Sequence, residues 1–180
     1  MSLLFVTWDG QATNYLEGLF FPVLGRLGRP AHVLQFTTAD DRTVERIRSA
    51  ATGFGVGYHP VSVRGPAAAR AARALIESRT GLRGAVRALG TTVVMPRSIL
   101  PAGMVLAHLP RDIPIAFEAD GLMADERIDF GVWPPDGARY RAARSVEVRT
   151  LWRAQVVVTR TEQAKRILLA RAGAGYPTHP

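Results

Sequence analysis

The sequence predicts an α/β fold, a doubly wound parallel sheet of about six or seven strands with helices on both faces. Three observations predict it. Short apolar runs alternate six times with helix-period segments along the 180 residues. The first run, Leu3-Leu4-Phe5-Val6-Thr7, is almost wholly apolar, as a strand covered on both faces must be. The composition, 47% hydrophobic and 21% charged, supplies one real core, so a single domain over 1–180 is expected.

Each element has a local reason. After the turn at Asp9-Gly10 a helix is expected over Asn14 to Leu27, closed by Gly28 and Pro30 and interrupted at Pro22, which has no N–H for the helical ladder. His32 to Phe36 reads as the second strand. Thr38, with Asp41 three residues on, has the spacing of a capping box and opens a helix whose Val44 and Ile47 face inward. Glycines 53, 55 and 57 end that helix, and Tyr58 to Val63 is the third strand. A long Ala/Arg helix follows, with Ala68, Ala72, Leu75, Leu82, Val86 and Leu89 as its apolar stripe and Gly81 and Gly84 as points of division.

Gly90 stops it before a fourth strand, Thr91 to Met95. Pro101 marks the first turn of a helix reaching Leu109, and Ile113 to Phe117 is the fifth strand. Residues 118 to 137 read as an acidic, Pro-rich loop before a basic helix over Ala138 to Arg153. Gln155 to Thr159 is the sixth strand, and Thr159 with Glu162 caps a last helix ending at Gly173. The ending Tyr176 to Pro180 reads as a chain interrupted in a loop.

Composition and charge exclude several classes. There is no cysteine, so disulfide scaffolds and thiol chemistry are ruled out, and the four histidines are too scattered for a metal motif. The net charge of +8 rests on 22 arginines and Lys165 alone. Six arginines between 64 and 87 face only Glu77, and five between 139 and 153 face only Glu147. Such stripes are solvated helix faces or meet an anionic membrane surface. Nucleic acid is disfavoured, since only Tyr140 and Trp152 are interleaved with the charge. The run Leu3 to Val6 is too short for an export signal. The longest apolar stretch, Ile99 to Ala107, falls far short of the roughly 20 residues of a membrane span. A cytoplasmic protein is expected.

Four common α/β functions lack their motifs. The first strand–helix turn offers Gly10 followed by Gln11-Ala12-Thr13, not the G-x-G-x-x-G of a dinucleotide site. No P-loop, no G-x-S-x-G nucleophile and no aspartate closing the third strand is present. Ligands in such sheets bind at the carboxyl ends of the strands. That rule selects Thr7 to Asn14, Val63 to Gly65, Met95 to Ser98, Phe117 to Asp125 and Thr159 to Thr161. Two of these carry clustered polar residues: Arg97-Ser98 after the fourth strand, and Glu118, Asp120 and Glu126 after the fifth. A guanidinium there binds a phosphate or sugar hydroxyl, and carboxylates accept hydrogen bonds from hydroxyls. Alternatively Arg97 pairs with Glu118 or Glu126 and only orders the loops. His59, inside a strand, reads as a packed or surface residue.

The series Val93-Val94-Met95-Pro96-Arg97-Ser98, then Phe117-Glu118-Ala119-Asp120-Gly121-Leu122-Met123-Ala124-Asp125-Glu126-Arg127, resembles the amino-terminal domain of bacterial family-four retaining glycosyltransferases. Asn14-Tyr15-Leu16, Val33 to Phe36, Tyr140-Arg141, Glu147 and Val156 to Thr159 continue the likeness. The resemblance implies a Rossmann-like half of a GT-B fold that holds the acceptor. The full enzyme would move a sugar from a nucleotide-sugar co-substrate to a glycan or lipid-linked acceptor, with no tightly bound cofactor. The donor-binding carboxyl-terminal domain is then the missing partner, and this half alone is inactive. Under the resemblance the substrate-binding residues are Gly10, Gln11, Arg97, Ser98, Glu118, Asp120 and Glu126. No catalytic base and no metal ligand is assigned. The alternative expectation is a free-standing α/β domain binding a sugar or phosphate.

Overall fold

The computed structural model describes residues 1–9, 14–66, 69–173 and 176. Strand β1 (Leu3–Asp9) lies between β2 (Ala31–Thr37) and β4 (Val93–Pro96), with β3 (Gly57–Ser62) outside β2, all parallel. Strands β5 (Ala116–Glu118) and β6 (Val156–Val158) form a separate parallel ladder. Single parallel bridges, Val94 to Ile115 and Arg97 to Glu118, connect β5 to β4, so the spatial order runs 3-2-1-4-5-6.

Six strands thus form, divided between a four-stranded and a two-stranded sheet, and no seventh occurs among the described residues. Proline explains the seam. Pro96 and Pro114 have no N–H to donate, which reduces the pairing of β4 with β5 to isolated bridges.

A π-helical turn (Leu16–Phe20), α1 (Phe21–Gly25) and α2 (Asp41–Gly53) cover one face of β1 to β3, around Phe5, Phe21, Val33 and Tyr58. The opposite face carries α3 (Arg70–Ala88), α4 (Ile99–His108), α6 (Ala138–Arg153) and α7 (Glu162–Ala172). Its core is built on Leu4, Val6, Phe36, Ile115 and Phe117. A short α5 (Met123–Asp129) forms where only loop was expected.

The helix expected over Asn14–Leu27 forms over Leu16–Gly25 and carries an interruption beside Pro22, as expected: the Phe21 N–H bonds five residues back to Leu16, and this wide turn delivers Pro22 to the first turn of α1, where no N–H is needed. Three expectations are corrected. Helix α2 is capped by Asp40, whose carboxylate accepts from the Thr43 N–H at 2.7 Å, and not by Thr38. Helix α7 is capped by Thr161, accepting from the Ala164 N–H at 3.1 Å, and not by Thr159. Helix α3 runs unbroken through Gly81 and Gly84, and its buried face is Ala74, Ser78 and Leu82, while Ala72 and Leu75 are exposed. Gly81 lies on the same inward side, with Phe36 and Val61 at ordinary contact distance from where its Cβ would stand. Ala68, also expected in the stripe, lies outside the described residues.

Candidate functional site

The chain leaves β1 for β2 on one side and returns through β4 on the other, which opens a crevice at the carboxyl ends of β1 and β4. Asp9, the last residue of β1, is buried there. The Tyr15 hydroxyl donates to its two oxygens at 2.7 and 2.6 Å and stands 2.6 Å from the Thr7 hydroxyl. Gln35 of β2 donates its Nε2–H to Asp9 Oδ2 at 2.5 Å and accepts at Oε1 from the Tyr58 hydroxyl of β3. Burial raises the Asp9 carboxyl above its usual range, outweighing the hydrogen bonds from Tyr15 and Gln35 and the nearby Arg97 charge. Burial and the Asp9 charge push the Tyr15 hydroxyl up as well, so it remains a donor.

Beside this network lies an alternating set of charges. Arg97, just past β4, places Nη2 2.5 Å from Asp120 and Nε 3.3 Å from Glu118, with its guanidinium 4.0 Å above the centre of the Tyr15 ring. Arg160, past β6, reaches Asp120 and lies 4.0 Å from Glu118. Glu118 is almost wholly buried, and burial with the neighbouring Asp120 charge raises its carboxyl against both arginines. Its Oε2 and the Arg97 Nε face each other as charges, and neither has a hydrogen-bond partner.

The backbone under this cluster is locked across strands. Arg97 N–H donates to Val6 O at 2.9 Å, Ser98 N–H to Glu118 O at 2.8 Å, and Ala119 N–H to Val158 O at 3.0 Å. The lock holds Ser98 at φ 68°, ψ 178° and Asp120 at φ 47°, conformations that side chains other than glycine rarely adopt.

The fold therefore brings Arg97, Ser98, Glu118 and Asp120 together. Glu126 joins them only indirectly: its Oε1 accepts from the Leu122 N–H at 3.3 Å and packs against Gly121, shaping the loop. Arg97 pairs with Glu118 and Asp120, so of the two carboxylates expected to order it only Glu118 does. Gly10 and Gln11 lie outside the described residues. Asp9, Tyr15, Gln35 and Arg160 were not singled out by the sequence. The strand-end rule covered Asp9 and Arg160, whereas Gln35 and Tyr15 are aimed at Asp9 only by strand register and by the turn before α1.

A second charge cluster ties the helices together. Glu147 of α6 is buried between Arg144 and Arg171, and Arg171 also reaches Asp125 of α5 at 2.5 Å. His59, expected as a packed or surface residue, lies half-buried with its Nε2 3.4 Å from His32 Nδ1. Among the described residues no group of three or more His, Asp or Glu is placed to hold a metal ion. No described helix is long and apolar enough to cross a membrane.

No protein-family model and no curated protein matches this chain. Solved structures do. The chain superposes on a protein assigned as a UDP-N-acetylglucosamine 2-epimerase from Listeria monocytogenes with a TM-score of 0.63 and 14% identity, covering 96% of this chain and 43% of that one. The UDP-GlcNAc 2-epimerase of Neisseria meningitidis, solved with UDP-GlcNAc, gives 0.60 and 15%, covering 96% and 44%. A further UDP-N-acetylglucosamine 2-epimerase gives 0.59 and 12%, covering 97% and 46%. The chain spans less than half the length of these proteins. At such identities the likeness is one of fold, and the fold is the Rossmann-like α/β domain found within nucleotide-sugar enzymes.

Proposed function

We propose that the chain is the acceptor-side half of a two-domain nucleotide-sugar enzyme of GT-B architecture. In full, it is a retaining glycosyltransferase that moves a sugar from a nucleotide-sugar donor to a glycan or lipid-linked acceptor. The observation that carries this reading is the balance of charge at the strand ends. Both Arg97 ion pairs are with carboxylates, and Arg160 turns to the same two. Asp9, Glu118 and Asp120 outnumber the two arginines around them, which suits neutral hydroxyls better than a diphosphate. The nucleotide then falls to a second domain, which agrees with neighbours more than twice as long.

The test is saturation-transfer NMR on the 180-residue chain with neutral monosaccharides and, separately, with UDP. Sugars bind weakly, UDP does not, and Asp120→Asn weakens sugar binding about tenfold, the loss of one charged hydrogen-bond acceptor. Tight binding of UDP with no contribution from the sugar overturns the reading.

The fold neighbours favour one other reading, an epimerase acting on the nucleotide sugar itself. Inverting carbon 2 requires its C–H bond to break. The native full-length polypeptide incubated with UDP-GlcNAc in deuterium oxide would then incorporate deuterium at that carbon, whereas a transferase would not.

A further inference from the structure

All strands are parallel, so every helix-to-strand turn lies at one edge of the sheet, opposite the site. Those turns follow α1, α2, α3, α4 and α6. They carry Arg26 and Arg29, then Arg87, Arg111 and Arg153, against Asp112 as the one acid. Arg83 joins them, its Nε–H donating to the His108 carbonyl at the end of α4 at 2.9 Å. Arg153 donates to Pro110 O in the same turn region, and its Nε has no hydrogen-bond partner. The opposite edge mixes its charges, with Asp9, Asp40, Asp41, Glu118 and Asp120 lying among Arg64, Arg70, Arg97 and Arg160, so only the turn edge is almost purely basic.

The basic edge is also studded with large apolar side chains. Met1 is 70% exposed, Leu27 46%, Phe54 44% and Trp152 51%. They are neighbours of the arginines: Arg29 Nη1 lies 2.9 Å from the Met1 sulfur, Phe54 packs on Gly25 at the end of α1, and Trp152 precedes Arg153. The indole N–H of Trp152 donates to Ala172 O at 3.0 Å and its ring packs edge-on against Tyr176, 5.7 Å between centroids, with half of the side chain still exposed at the end of α6. By contrast Phe130, 76% exposed, sits on α5 among Asp125, Glu126 and Asp129.

The arginine stripes of the sequence are largely consumed elsewhere. Arg70 and Arg73 donate to the carbonyls of Gly65 and Arg64, Arg149 to Ser145 O, and Arg144 pairs with Glu147. Of the two stripes, it is the carboxyl ends of α3 and α6, with Arg83, Arg87 and Arg153, that reach the edge.

We infer that this edge is a peripheral docking surface for an anionic lipid bilayer. Guanidinium forks take the headgroup phosphates, and Leu27, Phe54, Trp152 and Met1 enter the interface, where aromatic and aliphatic tips are favoured. Apolar tips interleaved with the cations favour a bilayer over a polynucleotide, which offers charge with no apolar interior. β1 is seven residues long, which sets the candidate site about 20 Å above the bilayer and open to the aqueous side. The inference does not depend on the sugar reading.

The experiment is co-sedimentation of the chain with phosphatidylcholine vesicles, with and without about a third phosphatidylglycerol. Binding is expected only with the anionic lipid, falling steeply between low and physiological salt. Arg26→Glu with Arg29→Glu, and separately Leu27→Ser with Phe54→Ser, each weaken it about tenfold, while Phe130→Ser leaves it unchanged. Trp152 fluorescence shifts to the blue on binding and is quenched by brominated lipid. All these side chains are exposed, and circular dichroism checks that each variant is folded. Equal binding to neutral vesicles, no response to either pair of substitutions, or tighter binding to duplex DNA than to the anionic vesicles overturns the proposal.

Discussion

Ser98 is held at φ 68° by its own N–H bond to Glu118 O and by the bond from the preceding Arg97 N–H to Val6 O, and it is not glycine. A non-glycine residue there costs about 1 kcal/mol or more. Ser98→Gly is therefore expected to stabilise the chain by about 1 kcal/mol in urea denaturation while loosening ligand geometry at the strand ends. A destabilised glycine variant would show that the serine side chain supports the turn. Arg97 is expected to behave in the opposite sense. Arg97→Ala removes one of the two cations that hold Glu118 and Asp120 and leaves the buried Glu118 with Arg160 alone at 4.0 Å, and the loss is about 3 kcal/mol, read from the same urea midpoints.

Glu147 gives a prediction with a sign. Burial lifts its carboxyl above the ordinary value of 4.5, against Arg171 and Arg144. Between the ordinary and the raised value the native chain keeps a proton that the unfolded chain has lost, so this group's contribution is complete below 4.5 and is lost as pH rises through the folded value. Glu147→Gln cannot titrate. Its stability relative to the parent chain should improve from pH 4 to pH 7, whatever the offset at pH 4, and a pH-independent offset would contradict the burial argument.

At the scale of elements, the two helices opened by caps were legible as helices but not by their caps. Asp40 and Thr161 took the role because each sits one residue before its helix with an extended backbone. Thr38 and Thr159 lie too far upstream to reach the same amides. Thr161→Ala should cost about 1 kcal/mol in thermal or urea unfolding, and Thr159→Ala much less. Helix α3 teaches the complementary point. Periodicity found its length and its inward Leu82, yet Ala72 and Leu75 fit the same period and are exposed. A helical stripe defines a face only when something covers it, and Phe36 and Val61 meet α3 at Gly81. Leu82→Ala, at a fully buried position, should cost about 3 kcal/mol.

Across the whole molecule, the charge has two edges. The net charge of +8 suggested stripes along α3 and α6, whereas the fold gathers an almost purely basic set of turns opposite the site and mixes carboxylates with arginines at the strand ends. Sugar binding at the site should therefore tolerate salt, while attachment at the opposite edge should not. Raising ionic strength in one sample containing both a sugar and anionic vesicles separates the two contributions.

The sequence by itself determined the α/β class, the near-complete run of strands and helices, and four of the polar residues at the strand ends: Arg97, Ser98, Glu118 and Asp120. These follow from local physics, since an apolar run needs two covered faces and a polar residue after it falls at a strand end. Only the tertiary structure decided the order 3-2-1-4-5-6 and the split at Pro96 and Pro114. It alone aimed Tyr15 and Gln35 at Asp9, and set Arg97 against Asp120 in place of Glu126. Those contacts join residues from separate strands and loops, and register and rotation are fixed by what packs across the sheet, which no local window of sequence contains.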